Sequence, residues 1–495
     1  MKKISLTILI VLIPFLTMAQ IRLEINGNVN KKITYKIGST SSTIAEGTSV
    51  TIKSIYNSKG APEVQIYNND KDVLFSIFIS QLSNISFKPS TVKQFWQIQA
   101  LKSEVYNNIT KNGNQYELRN ELELEAIEYI DYTEKNNLIF NDSYLESYLY
   151  ALAYKIYPSR IEDDKPGLIN IKILKSTKPN AFIYANGTMF LTTSLLSKIN
   201  SEEELIAIMA HEISHFVLDH SIININKAEK RLERAKFWAG LATGVAAAAD
   251  ISMAANNDNY TPGSITLGTS ILAYSIASEV NERMGLKYSR EQQLEADKCA
   301  SEFMKFVNID PTALSSALLK IKNYEIPNSN YTLGLSSNKE SHSTTENRIQ
   351  AIGKPKKEFM NPDYDKTISL VNTFNAETQL NIHHLQSCID LINRNINADI
   401  ATEDDYILMA KATNLMYDNE AKNNEALLHI NKAKSLNISP TIDIFKQEAI
   451  ILIRLKKYDE AKMALNKYLD SIKIFREKVW ALKMINKINK MKKLE

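Results

Sequence analysis

Alternating apolar and polar residues mark the first part of the chain as β-rich. Segments such as SVTIKSIY and PEVQIYNN alternate with a period of two and are separated by Gly, Asn, Ser and Pro, which is typical of short antiparallel strands. The pattern predicts a small β domain over residues 20–93, either a barrel or a sandwich. This region contains no candidate catalytic residue.

Near residue 95 the apolar spacing becomes helical, in QFWQIQALKSEVYNNI and YLESYLYALAYKIY, and a strand pair follows in GLINIKILKS and NAFIYANGTMFLTT. Asn186-Gly187 separates two alternating runs, which is the strongest short-range signal of a β-hairpin. The sequence therefore predicts an α-rich domain with a small sheet over 95–352. A polar, proline-containing linker (353–365) and a helical region (366–495) are expected to follow.

The helical C-terminal region contains an internal similarity. NEALLHINKA (424–433) and DEAKMALNKY (459–468) align at a separation of 35 residues, which places Ala426 over Ala461. A period of about 34 residues is typical of tetratricopeptide repeats. Two unrelated amphipathic helices are the alternative, because such arrays usually need about three copies.

The first residues, MKKISLTILIVLIPFLTMAQ, have the layout of a secretory signal peptide. Lys2 and Lys3 precede a short apolar core, and the small residue Ala19 marks a cleavage site. We expect residues 1–19 to be a signal peptide and the protein to be exported. A retained membrane anchor is the alternative, although the apolar run is shorter than the ~20 residues that a span needs.

Composition limits the function without identifying it. A chain of 495 residues with 44% hydrophobic and 23% charged residues is a folded, multidomain protein. The formal charge of +3, from 59 Lys+Arg and 56 Asp+Glu, gives no indication of a nucleic-acid partner. Two cysteines are too few for a disulfide scaffold, and we interpret Cys299 and Cys388 as buried thiols.

The segment SEEELIAIMAHEISHFVLDH carries the clearest chemistry. Ser201 and Glu204 predict a capping box at the start of a helix. On that helix His211 and His215 are one turn apart, so their imidazoles share a face and can bind one metal ion. Glu212 can reach a metal-bound water without being a ligand, as in the H-E-x-x-H motif of zinc peptidases. Three of the seven histidines of the chain lie in this short segment, which argues against a chance pair of surface histidines.

The third histidine of the segment, His220, is predicted to be structural. It follows His211 by nine residues and would lie on the far side of a continuing helix. Leu218 occupies the position at which a glycine turns some zinc peptidases toward a third histidine ligand. The third ligand is therefore expected elsewhere in the chain.

Four segments resemble one known family in their content and order: NAFIYANGTMFLTTSLL, EELIAIMAHEISHFVLDH, YSREQQLEAD and SHSTTENRI. They are similar to the zinc metallopeptidases that include the CAAX prenyl endopeptidases, HtpX and the periplasmic BepA-type proteases with tetratricopeptide tails. The resemblance covers about residues 95–352. It implies an α-rich gluzincin domain that binds one Zn²⁺ through His211 and His215 and uses Glu212 as the base.

The resemblance also implies roles for residues outside the motif. In the family the third ligand is a Glu four residues before an Asp, and here Gln293 stands four residues before Asp297. Asp297 is implied to orient a ligand histidine. His342 is implied to contact the substrate carbonyl or to gate the metal, with Arg348 as its structural companion. Ser343 replaces the usual proline, so the loop that holds His342 is expected to be looser.

Gln293 puts the metal site in question. Residues four apart share a helix face, whereas Glu291 and Glu295 lie six and two residues before Asp297 and point away from it. No Gly or Pro in the segment would kink the helix and bring either glutamate into place. The amide oxygen of Gln293 is a poorer ligand than a carboxylate, so we expect zinc binding with reduced affinity.

The resemblance implies a site for extended polypeptide substrates. Strand addition takes affinity from main-chain hydrogen bonds and favours unfolded segments. The implied edge strand starts directly after the Asn-Gly turn. It comprises Thr188, Met189, Phe190 and Leu191.

Two weakly apolar stretches, 237–255 and 264–280, follow the H-E-x-x-H segment. Both are rich in Ala, Gly and Ser, and Asp250 interrupts the first. We expect a helical hairpin that packs beside the active site or makes a peripheral membrane contact. A transmembrane hairpin is the alternative.

Together these features predict a periplasmic or outer-membrane-associated zinc metalloendopeptidase of a bacterium. It is expected to hydrolyse unfolded or misassembled envelope proteins, with a protein partner or substrate bound by the helical repeats. A catalytically weak or inactive relative that acts as a binding or chaperone module is the alternative. A purely structural repeat protein would leave the middle domain unexplained.

Overall fold

A computed structural model describes most of the chain. The described residues are 21–37, 40–58, 61–103, 105, 114–162, 167–225, 288–322, 340–436 and 441–492. The predicted signal peptide (1–19) and the two apolar stretches within 237–280 lie outside these ranges. Among the helices within them, none has the length and apolar character that a membrane crossing requires.

The N-terminal region is built of β-strands, as the alternating pattern predicts. The strands are β1 (Ile21–Val29), β2 (Ile33–Ile37), β3 (Thr40–Ile44), β4 (Ser49–Ser58), β5 (Ala61–Asn68), β6 (Val73–Phe78) and β7 (Ile85–Phe87). Five form an antiparallel sheet in the order β6-β5-β4-β1-β7, and β2 pairs with β3 separately. Every second residue of β1 is buried, because successive side chains of a strand point to opposite faces.

The middle region combines helices with a small sheet. Its elements are α1 (Val92–Lys102), α2 (Asn114–Lys135), α3 (Ser143–Ile156), β8 (Asn170–Leu174), β9 (Ala181–Ile183), β10 (Thr188–Thr192), α4 (Thr193–Lys198), α5 (Glu202–Val217), α6 (His220–Ile225), α7 (Arg290–Phe306), α8 (Thr312–Lys322) and α9 (Glu340–Ile352). One continuous apolar core joins the β-rich region to these helices. Within it the buried Trp96 of α1 donates from Nε1 to the carbonyl of Ile156 at 2.6 Å.

The Asn-Gly hairpin is present between β9 and β10. Gly187 has a φ of +82°, and a Cβ there would lie 2.9 Å from the Leu168 carbonyl oxygen, so this turn requires glycine. The backbone nitrogen of Tyr184 donates to the Thr188 carbonyl at 2.8 Å and closes the turn.

The prediction that residues 188–191 form a free edge is wrong. Their strand, β10, lies between β8, which is parallel to it, and β9, which is antiparallel, and all of its residues are buried. The edge strands of this sheet are β8 and β9. Residues 138–140 cover part of the outer edge of β8, whereas no described strand pairs with the outer edge of β9. The backbone nitrogens of Thr192 and Tyr184 donate to the carbonyls of Asn180 and Thr188. Residues that bond to the neighbouring strand alternate with residues that point outward, so the N–H and C=O groups of Ala181 and Ile183 point away from β10.

Helix α5 begins as predicted, but Glu204 does not complete the predicted capping box. Ser201 caps the helix by accepting from the Glu204 nitrogen at 3.2 Å. The Glu204 carboxylate accepts instead from the Asn200 nitrogen at 2.7 Å, from Ser316 Oγ at 2.5 Å and from Lys320 Nζ at 2.7 Å. This fully buried carboxylate therefore joins α5 to α8.

Replacing Glu204 by alanine is expected to lower the free energy of unfolding by about 3 kcal/mol. The change leaves the Lys320 ammonium and the Ser316 hydroxyl without their buried partner. Urea unfolding followed by circular dichroism measures the loss, with Glu203→Ala as the control on the same helical turn. Equal stability of the two variants would contradict the structural role assigned to Glu204.

The C-terminal region is helical throughout its described residues. Its helices are α10 (Pro362–Thr367), α11 (Ser369–Asn381), α12 (Leu385–Asn397), α13 (Glu403–Met416), α14 (Glu420–Leu436), α15 (Ile442–Arg454), α16 (Tyr458–Ser471) and α17 (Phe475–Met491). Helices α11 to α16 form three hairpins, and α11 also touches α13, which touches α15. The aligned Ala426 of α14 and Ala461 of α16 are both fully buried.

The segment predicted as a linker, 353–365, is packed on the middle region. Phe359 and Tyr364 are buried within the shared core, and the Tyr364 hydroxyl donates to the Leu196 carbonyl at 2.9 Å. Beyond it, Asn375 Nδ2 donates to the carbonyl of Thr193 at 2.8 Å. Although the segment is polar in composition, its two buried aromatic residues pack on the middle region and help to hold the helical hairpins against α4.

Candidate metallopeptidase centre

Helix α5 directs two imidazoles to one point. His211 Nε2 and His215 Nε2 lie 3.1 Å apart, and both residues are buried. Two nitrogens bound tetrahedrally to one zinc at about 2.0–2.1 Å would be about 3.3 Å apart. Ring nitrogens this close must share either a proton or a cation, and their spacing fits a shared metal ion.

Asp297 of α7 contacts His211, the first histidine of the pair. Its Oδ1 lies 2.9 Å from His211 Nδ1, which is the contact expected from the sequence. Burial raises the pKa of Asp297, but His211 and Arg348 outweigh it and lower the pKa to about 2. The ionised carboxylate holds the proton of His211 on Nδ1 and leaves Nε2 as a free donor for a metal.

Arg348 of α9 binds Asp297 with both arms of its guanidinium. Nε donates to Oδ2 and a terminal nitrogen donates to Oδ1, both at 2.7 Å. The same terminal nitrogen lies 3.4 Å from His211 Nε2. His342, its expected companion, lies in the first turn of α9 and not in a loop as predicted, while its side chain is outside the described part of the structure.

Both histidines are suited to bind a metal as neutral imidazoles. Burial is the main cause of the lowered pKa of His211, and the Arg348 charge adds to it against the opposing effect of Asp297. Burial also holds the pKa of His215 well below its usual value, with further contributions from His211, His220 and Arg348. A metal can therefore bind without first displacing a proton from an imidazolium.

Gln293 of α7 is the residue that the resemblance implies as the third ligand. In the described ranges no group of three or more His, Cys, Asp or Glu side chains is arranged to hold a metal. The Gln293 carboxamide contacts the His215 ring. Its Oε1 is buried and makes no hydrogen bond of normal geometry to a described residue. This unpartnered oxygen, together with the two nitrogens, fits a metal site of two imidazoles and one amide.

The neighbouring glutamates do not replace Gln293 at the histidine pair. Glu291 is exposed and accepts from the Ser289 hydroxyl at 2.9 Å at the start of α7. Glu295 contacts His220, with Oε2 at 3.4 Å from Nε2. Neither glutamate therefore adds a carboxylate to the histidine pair.

Glu212 lies beside the two histidines on α5 and is buried. Burial raises its pKa to about 8, and Arg348 opposes the rise. A carboxyl group whose pKa is near the working pH can both accept and return a proton. The arrangement can therefore support general acid–base chemistry next to a metal.

Two contacts of His215 were missed by sequence reasoning. The ring of Tyr288 stacks on it with centroids 3.7 Å apart and planes 10° apart. His220 Nδ1 lies 2.7 Å from His215 Nδ1. His220 was expected on the far side of a continuing helix, but α5 ends at Val217 and Asp219 adopts a φ of +56°. Asp tolerates this conformation better than most residues, so Asp219 was the available signal of a turn.

Three features of this site are typical of a metallopeptidase centre: a histidine pair on one helix, a buried glutamate between the two histidines, and a carboxylate in contact with one of the histidines. Comparison with known families agrees, because residues 144–356 match the model of peptidase family M48. The match supports a metallopeptidase, a hydrolase of peptide bonds. Members of this family are generally zinc-dependent. The matched residues begin later than the resemblance seen in the sequence and extend to a similar end.

Proposed function

We propose that this protein is an exported zinc-dependent metalloendopeptidase that cleaves extended segments of unfolded or misassembled envelope proteins. The observation that carries the proposal is the convergence of His211 Nε2 and His215 Nε2 at 3.1 Å, with the unpartnered Gln293 oxygen at the same site. The Lys-rich, apolar N-terminus supports export. The C-terminal hairpins offer a surface for a substrate or a partner protein.

Each residue of the centre has a separate task. A bound zinc ion supplies Lewis-acid polarisation and makes water more acidic. Glu212 accepts the proton of the attacking water and returns it to the leaving amine. Asp297, held by Arg348, keeps the proton of His211 on Nδ1 so that Nε2 faces the site. Tyr288 supports the plane of the His215 ring from one side.

The outer edge of β9 is the proposed site of substrate pairing, in place of β10. This strand packs against α5, the helix that carries the histidine pair. Among the described strands none pairs with its outer edge, where the main-chain groups of Ala181 and Ile183 point. An extended substrate added there would take most of its affinity from main-chain hydrogen bonds.

Replacing Ala181 by proline is expected to lower kcat/KM for an extended peptide by about 10-fold, since one hydrogen bond contributes roughly 0.5–1.5 kcal/mol and the ring also hinders approach. The change removes an outward-facing N–H group but no large side chain. Steady-state kinetics on a fluorogenic peptide measures the effect. Ala181→Val is the control, because it keeps the N–H group; equal losses in both variants would argue against pairing at β9.

A binding module without proteolysis is the second candidate function. Two observations favour it: the neutral amide at position 293, and the Arg348 guanidinium 3.4 Å from His211 Nε2, where its charge opposes that of a metal. In that case the cleft and the helical hairpins would hold unfolded chains without cutting them.

Cleavage of casein, a largely unfolded protein, separates the two functions. The purified chain, dialysed against buffered zinc, is expected to produce new N-termini from casein, to stop with 1,10-phenanthroline and to recover when zinc is returned. Binding of casein without any cleavage by the zinc-loaded protein would contradict the peptidase and support the binding module.

A further inference from the structure

His215 is connected to a second carboxylate through another histidine. His215 Nδ1 lies 2.7 Å from His220 Nδ1, and His220 Nε2 lies 3.4 Å from Glu295 Oε2. The two histidines are almost fully buried, whereas about half of the Glu295 side chain is exposed. The Glu295 carboxylate is therefore the group that His220 Nε2 contacts at the far end of this connection.

The hydrogen bonds from His215 through His220 to Glu295 determine which ring nitrogen of His215 carries the proton. A carboxylate only accepts hydrogen bonds, so the contact of His220 Nε2 with Glu295 places an N–H group on that nitrogen. His220 Nδ1 is then an acceptor, so the short contact with His215 requires the proton on His215 Nδ1. The lone pair of His215 is left on Nε2, the nitrogen that faces His211. In both His211 and His215, Nε2 thus faces the metal site while the Nδ1–H group contacts an acceptor.

The local fold is built to make these contacts. Asp219, with its left-handed backbone, ends α5 and starts α6 at His220. Gln292 of α7 then donates from Nε2 to the Asn224 side chain at 3.1 Å, which ties α6 to the helix that carries Glu295. His215, His220 and Glu295 are therefore positioned by three successive helices, α5, α6 and α7.

We propose that His220 and Glu295 are positioning residues that hold His215 in its metal-binding tautomer. Through His220, the Glu295 carboxylate also supplies the negative charge that the Gln293 amide lacks. The inference rests on the proposed function, since it concerns zinc at that site. In this arrangement Asp297 supports one ligand directly and Glu295 supports the other through His220. A neutral third ligand is then compatible with a working site.

Zinc affinity of the full chain, measured by competition with a chromogenic chelator, tests the proposal. Partners that orient metal ligands typically change affinity by about 10–100-fold, so we expect about 10-fold weaker binding for Glu295→Gln and a larger loss for His220→Leu. His220→Asn is expected to recover part of that loss, because its Oδ1 can accept the His215 N–H group. Glu291→Gln, the same change on the same helix, is the control and should bind as wild type does.

Two further readouts distinguish positioning from general damage to the fold. The visible spectrum of the cobalt-substituted chain should change in His220→Leu and stay the same in Glu291→Gln, while the metal-free melting temperature of Glu295→Gln matches wild type. In a Gln293→Glu background the effect of Glu295→Gln should shrink, because the site then has its own carboxylate. An undiminished effect would overturn the charge role.

The failure of this inference is separable from failure of the proposed function. A wild-type chain that binds no zinc would remove the function itself. A wild-type chain that binds zinc, with Glu295→Gln and His220→Leu binding as tightly as Glu291→Gln, would overturn the positioning role alone.

Discussion

Glu212→Gln is expected to lower casein cleavage by about 10²–10⁴-fold, the usual contribution of a positioned general base. The amide has the size of the carboxyl group but cannot accept the proton of the attacking water. Zinc binding should persist, because the proposed ligands are His211, His215 and Gln293. Initial rates of casein cleavage, together with zinc content of the same preparation, measure both parts of the prediction.

The control for this variant is Glu203→Gln, which makes the same change in the first turn of the same helix. It should cleave casein at the wild-type rate. Retained cleavage by Glu212→Gln would mean that another residue accepts the proton, and loss of zinc in that variant would mean that Glu212 is itself a ligand.

Gln293→Glu is expected to raise zinc affinity by at least about 10-fold, because even changes in residues that only contact a metal ligand alter affinity by that factor. The carboxylate adds a negative charge at a buried oxygen that has no hydrogen-bond partner among the described residues. Occupancy at limiting zinc should rise, and cleavage should rise with it. Chelator competition and casein assays at buffered zinc measure the two effects.

Gln350→Glu is the matched control, because it introduces the same charge at an exposed position of α9, the helix that carries Arg348. Equal zinc affinities of the two variants would show that overall charge, and not a ligand at position 293, changes binding.

The sequence predicted the local elements of the fold better than their pairing. The period-two pattern of the N-terminal region and the Asn-Gly turn depend on neighbouring residues, and both are present. The central position of β10 depends on the parallel strand β8, which no local signal assigns. The hairpin of α11 and α12, which contains the buried Cys388, shows a similar limit: it was not detected, because its sequence does not repeat the pattern shared by 424–433 and 459–468.

At the candidate site only the resemblance to the family implied that Gln293 and Asp297 lie near the histidine pair, and it did not give every contact. The spacing of His211 and His215 and the position of Gln293 relative to Asp297 follow from helix geometry alone. The role of His220 did not follow, because a single left-handed residue, Asp219, breaks the helix that was expected to continue. Burial of Glu212 and its raised pKa come from packing between distant elements and have no local signal.

Zinc stoichiometry tests the central claim most directly. The wild-type chain and a His211→Ala/His215→Ala variant are dialysed against buffered zinc, and the bound metal is measured by mass spectrometry. The proposed site predicts one zinc per wild-type chain and none above background in the variant. Equal zinc in the two proteins, or none in either, would contradict a metal centre formed by His211, His215 and Gln293.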